Sequence, residues 1–150
     1  TCLPAGWKAL SQESMNSLGL PEETVAAFQA GEPHAGQFDT VTVTREPLNG
    51  DMTTTAYGDA NVLAVSTLPE YALIDKQTAT IDAAQTPLHI FSARIDAESP
   101  IRRYEQLSAV GGGNGYTFTG SFPLSLEDKE AAEVEFILKG VTFTDPAAKK

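Results

Sequence analysis

Apolar and polar positions alternate with a period of two over residues 37–46, where Val41 and Val43 interleave with Thr40, Thr42 and Thr44. That is the signature of a half-buried strand. Asn49-Gly50 turns the chain, and Asp51 then caps a helix in which Met52, Ala56, Ala60, Leu63, Ala64 and Thr67 recur at helical spacing. The spacing predicts a small-residue stripe laid against a sheet, ending at Pro69. Gly58 within it costs about 1 kcal/mol relative to alanine, so it marks a close backbone approach. Residues 71–81, 87–95, 101–110 and 116–122 are rich in β-branched and aromatic residues and are separated by turn-forming clusters. Such spacing predicts four consecutive antiparallel strands, because parallel neighbours need longer crossovers. Ser125-Leu126-Glu127-Asp128 forms a capping box, opening a helix with Ala131, Val134, Ile137 and Leu138 on one face and Gly140 at its end. Val141-Thr142-Phe143-Thr144 adds a final short strand.

At the start, a short strand ends in the turn Pro4-Ala5-Gly6, and Trp7 is a core anchor carrying one polar N–H. Ser11 caps a short polar helix that stops near Gly19. Pro21 opens a second helix over residues 22–30, which Gly31 ends. These two helices form an insertion or flap. No internal repeat or low-complexity linker is present. The expected fold is α+β: a central antiparallel sheet of about five to six strands flanked by helices as an α/β/α sandwich. Residues 1–145 form one domain, and residues 146–150 a frayed tail.

A chain of 150 residues suits one substantial core. Its 20 acidic against 10 basic side chains give a formal net charge of -10, which repels nucleic acid and anionic lipid. No apolar stretch approaches the roughly 20 residues that span a bilayer, and the residues from Thr1 onward do not read as a charged-then-apolar leader, as expected of a piece trimmed of one. Cys2 is the only cysteine, so it has no disulfide or zinc partner within the chain. A cysteine so near the start suits a bacterial lipoprotein, but Thr1 is unlike the small residue expected before a lipid-bearing one. Cys2 reads better as a small buried strand residue.

Candidate chemistry is sparse. Gly111-Gly112-Gly113-Asn114-Gly115 could cradle a phosphate, but it leads into the strand Tyr116-Thr117-Phe118-Thr119, not into a helix N-terminus. It reads as a flexible hairpin loop. His34 and His89 are the only candidate neutral-pH proton shuttles, and neither has a partner at metal-ligand spacing. No serine or threonine sits in a nucleophile motif. Glu127, Asp128, Glu130, Glu133 and Glu135 wrap the solvent side of the last helix. Arg102 and Arg103 point to opposite faces of their strand and cannot form one clamp, and Glu98 and Glu105 offer them surface ion pairs. No catalytic, metal or cofactor residue is therefore assigned.

Leu3-Pro4-Ala5-Gly6-Trp7, Thr40-Val41-Thr42-Val43-Thr44-Arg45-Glu46, the helix before Leu68-Pro69-Glu70-Tyr71, and Tyr104-Glu105-Gln106 followed by Tyr116-Thr117-Phe118-Thr119-Gly120-Ser121 together share a layout. Over most of its length the chain resembles the PsbP and DcrB-like superfamily. The resemblance implies a central antiparallel sheet with helices on its faces, and roles in binding: photosystem II accessory subunits, secretion-effector chaperones, a Ran-binding protein and bacterial envelope lipoproteins. It supplies no shared catalytic set. The helical segment from Ser11 to Gly31 is longer than the usual connection there. The expected function is a non-enzymatic binding or accessory domain of a bacterial envelope protein, with a protein partner and no cofactor. Two alternatives stand beside it: a small hydrolase or lyase pairing His34 or His89 with a carboxylate assembled in space, and a structural subunit with an exposed apolar patch. A cytoplasmic location is the alternative to the envelope.

Overall fold

The computed structural model describes residues 5–33, 38–94, 97–123 and 128–139. Its elements run β1 (Lys8–Ala9), α1 (Gln12–Ser17), β2 (Thr24–Gln29), β3 (Thr40–Pro47), α2 (Thr54–Val65), β4 (Ala72–Ile81), β5 (Ala84–Ala93), β6 (Arg102–Gly111), β7 (Asn114–Pro123) and α3 (Asp128–Lys139). The strands form one seven-stranded sheet in the order β1-β2-β3-β7-β6-β5-β4. Every neighbouring pair is antiparallel. The four-strand meander expected from the second half is present as β4 to β7.

The strand number exceeds the expected five to six, and the reason lies in the first third of the chain. Ser11 caps α1 as expected, its hydroxyl accepting from the Ser14 amide at 3.1 Å. The expected second helix over residues 22–30 is instead strand β2, with Ala27 paired to Thr42 and Phe28 to Val41. Two alanines favour a helix only weakly, and a ladder along β3 plus burial of Ala27 overrides that preference. Gly31 is not a helix stop. A Cβ there would stand 2.5 Å from the Gly6 carbonyl oxygen, so glycine admits the crossing of two backbones.

The two longer helices cover opposite faces of the sheet. On β7, Gly115 meets the Tyr57 ring of α2, whereas Gly120, of opposite parity, meets Val134 of α3. The larger apolar core lies on the α3 side, joining Trp7, Val41, Val43, Ile81, Leu88, Ile90, Leu107, Phe118 and Phe122 to Val134, Ile137 and Leu138. Trp7 is therefore core, and its indole N–H donates to Glu133 at 3.0 Å. A smaller cluster of Phe91, Ala93 and Tyr104 packs with Val65, Leu68 and Tyr71 on the other side.

Helix α2 corrects the expected stripe. Thr53, not Asp51, is its cap, accepting from the Ala56 amide, and the helix ends at Val65, before Pro69. Tyr57 and Gly58 are its buried residues, while Met52 and Leu63 are 40% and 71% exposed. The face turned to the sheet is the one that can hydrogen-bond there, since Asn61 donates to Ser108 at 2.8 Å. Gly58 serves the close approach expected of it: a Cβ would lie 2.5 Å from Thr86 Oγ1 and 2.7 Å from Pro87 Cδ. On α3, Val134, Ile137 and Leu138 are buried as expected. Residues 125–127 of its capping box, Gly140, the strand expected over residues 141–144 and the tail at 146–150 lie outside the described residues.

Candidate functional site

Period-two alternation in β3, β7 and β6 sends valines and phenylalanines toward α3 and leaves threonines and amides on the opposite face. Thr44 stands opposite Thr117, and Thr119 stands opposite Gln106. Helix α2 packs on β5 and β6. Beside it, these side chains floor a groove of about 460 Å³ walled by Tyr57 and Asn61 and rimmed by Pro21, Glu23, Arg45 and Glu46.

The groove is a network of hydrogen bonds. The Tyr57 hydroxyl donates to Glu46 Oε1 at 2.6 Å, and Asn61 Nδ2 also reaches Thr117 Oγ1 at 3.3 Å. Gln106 Nε2 donates to Thr119 Oγ1 at 3.2 Å. Burial, then the Glu46 carboxylate that it bonds, pushes the Tyr57 hydroxyl above its ordinary pKa, so it stays a donor at neutral pH. These bonds set side-chain directions in advance and leave the amide oxygens of Asn61 and Gln106 as further acceptors. The lining is polar and nearly uncharged on its floor, with two carboxylates and one guanidinium at the rim. Such a surface suits a polar ligand and lacks the apolar walls typical of drug-like pockets.

The sequence candidates fall elsewhere. His89 is buried in β5 at 1% exposure, its Nε2 2.6 Å from the Tyr71 hydroxyl, in one ring cluster with Tyr71 and Phe91. Burial and then the positive charge of Lys76 lower its pKa, favouring neutral imidazole. Its bonded partner is thus a phenol, not the carboxylate that the hydrolase alternative calls for. His34 and Cys2 lie outside the described residues. Among the described residues no three His, Cys, Asp or Glu side chains gather.

The glycine run is the β6–β7 hairpin. Gly111 pairs with Asn114, and Gly112 and Gly113 between them take φ of 59° and 79°, the two positive values of a type I′ turn. Arg102 and Arg103 do part to opposite faces: Arg102 Nε reaches Ser121 Oγ at 2.8 Å, while Arg103 lies over the Phe122 ring. Of the acidic helix, Glu133 turns inward to Trp7, and Glu135 pairs with Lys139 at 3.4 Å. The clearest correction concerns Glu105. Its expected ion pair is made, with Arg103 Nη2 3.6 Å from Oε1, but not at the surface: Glu105 lies fully buried on the α3 face, sharing the parity of Leu107 and Ala109.

Sequence reasoning missed the groove altogether. Its signal was the threonine alternation itself, read only as a strand and not as a polar face meeting Tyr57 and Asn61.

No known protein-family profile matches the sequence, and no curated protein matches it. Solved structures do. A protein of unknown function from Pseudomonas aeruginosa superposes with a TM-score of 0.65 at 12% identity, covering 79% of this chain and 82% of that one. Cyanobacterial PsbP from Synechocystis, solved in solution, superposes with a TM-score of 0.53 at 14% identity, over 89% of this chain and 79% of that one. The chain has a PsbP-like fold.

Proposed function

We propose that this chain is a non-enzymatic binding or accessory domain of a bacterial envelope protein, and that the groove beside α2 receives a polar segment of a protein partner. The observation that carries the reading is the preset donor and acceptor array of Tyr57, Asn61, Gln106 and Thr119 in an open groove. Hydrogen-bonded polar side chains hold their directions before a ligand arrives, which lowers the entropy cost of binding. Opposite charges at the rim, Arg45 against Glu23 and Glu46, fit a partner presenting both signs. The PsbP-like fold and the resemblance noted above support a binding role, and the envelope location rests on that resemblance.

A photo-crosslinking residue at Thr119, in the chain expressed in its native host, tests the reading. The expected result is a discrete crosslinked protein that disappears with Asn61→Ala and Gln106→Ala together. Crosslinks that appear equally from Leu63, outside the groove, or that survive the double substitution, count against the groove as the binding surface. Turnover in a broad hydrolase screen that is lost on His89→Gln would overturn the non-enzymatic reading.

A further inference from the structure

Glu105 has no part in the groove, and its surroundings are unusual for a carboxyl group. It is 0% exposed in the middle of β6, between Ile90 of β5 and Gly120 of β7. Gly120 in turn abuts Val134 of α3. Neither carboxyl oxygen of Glu105 has a hydrogen-bond partner among the described residues. The paired cation, Arg103, stands two residues back on the same face with Nη2 3.6 Å from Oε1, and its Nε also has no hydrogen-bond partner among the described residues. Arg103 is thus an imperfect counter-charge, spread over the Phe122 ring at 5.7 Å. Among the described residues of α3, Glu135 and Lys139, bonded to each other, are the charged groups that act on this spot, while Glu133 is bonded to Trp7. Across the sheet, Asp75 of β4 stands opposite Ile90 in the same row.

We propose that Glu105 is a proton-operated latch for α3: the neutral acid lets the helix lie on the sheet, and ionisation of the acid loosens the helix. An ionised carboxylate at this place has, among the described residues, only the charges of Arg103 and Lys139 and no hydrogen bond to offset its desolvation. The strands on either side are fixed by their ladders, so hydration comes by lifting α3, which packs on the sheet through Val134, Ile137 and Leu138. Burial first, and then the negative charge of Glu135, raise the carboxyl from 4.5 to about 7, against partial opposition from Arg103 and Lys139.

The sign follows from the raised value. Well below pH 4.5 the acid is neutral in both docked and lifted states, and docking is fully favoured. As pH rises the lifted state ionises first, so docking weakens across the interval and the loss is complete above about 7. Within it, each pH unit multiplies the lifted-to-docked ratio by up to about tenfold.

The protein carries its own reporter. Trp7 is the only tryptophan, is 9% exposed, and donates to Glu133 on α3. Tryptophan emission and amide exchange of residues 133–139, corrected for intrinsic rates and referred to the amides of β6 and β7, are followed from pH 4.5 to 8 on the full chain. The expected result is faster α3 exchange and red-shifted emission as pH rises, with both responses flattened in Glu105→Gln. Glu135→Gln moves the midpoint down and Arg103→Gln moves it up. Wild-type α3 protection that does not change over this range overturns the proposal, whether or not the variants fold. An unchanged pH response in folded Glu105→Gln also overturns it.

Discussion

Two non-glycine residues, Asp82 and Ala83, hold φ of 46° and 71° in the turn joining β4 to β5. In the corresponding turn of the next hairpin both positions are glycine. A left-handed conformation costs an alanine about 1–2 kcal/mol, part of which glycine returns through its freer unfolded chain. Ala83→Gly is therefore expected to stabilise the protein by about 1 kcal/mol, read as a raised urea midpoint with unchanged slope. Gly58 is the opposite case. Alanine there gains about 1 kcal/mol of helix propensity, but its methyl group would meet Thr86 Oγ1 at 2.5 Å and the Pro87 ring at 2.7 Å. Lifting a backbone off a packed sheet typically costs about 1–3 kcal/mol. Gly58→Ala is accordingly expected to lower the thermal midpoint, and an unchanged or raised midpoint would show that α2 can retreat freely.

At the scale of elements, α2 separates periodicity from chemistry. Removing a side chain from its outward face, as in Leu63→Ala, is expected to change stability by less than about 0.5 kcal/mol. Tyr57→Phe deletes a 2.6 Å hydrogen bond to a carboxylate and is expected to cost about 1–2 kcal/mol in urea unfolding. The sequence-based reading placed the stripe of Met52, Ala56, Ala60, Leu63 and Ala64 inward because apolar spacing is the strongest local signal. The helix turned otherwise because Tyr57 and Asn61 have partners in the sheet, and partners across strands are invisible locally. For the same reason β2 was mistaken for a helix, its strand state depending on the ladder that β3 offers. The meander β4 to β7 and the apolar face of α3 were legible because each carries its own period and turn signals. Glu105 was legible in principle, since the alternation with Leu107 and Ala109 puts it on the core face. The prior that glutamate is a surface residue outweighed that parity.

For the whole molecule, two buried ionisable groups on opposite faces of one sheet pull the pH dependence of stability in opposite directions. His89 has its pKa lowered by burial and then by Lys76, so the unfolded chain binds its proton more readily, and stability falls as pH drops below the ordinary value of 6.5. Glu105 has its pKa raised to about 7, so stability falls as pH climbs from 4.5 toward that value. Where both act, one group makes the native state the weaker proton binder and the other the stronger, and the two slopes, each up to about 1.4 kcal/mol per pH unit, oppose one another. In the wild type the two contributions therefore partly offset one another below pH 6.5. Glu105→Gln uncovers the histidine, and stability then rises with pH up to 6.5. His89→Gln uncovers the acid, and stability then falls with pH until about 7. Urea midpoints at half-unit intervals from pH 5 to 8 distinguish these profiles, with the double variant as the level reference. Parallel profiles in all four proteins would mean that neither group titrates differently in the folded chain, and that the polar interior of the sheet is hydrated more freely than its burial implies.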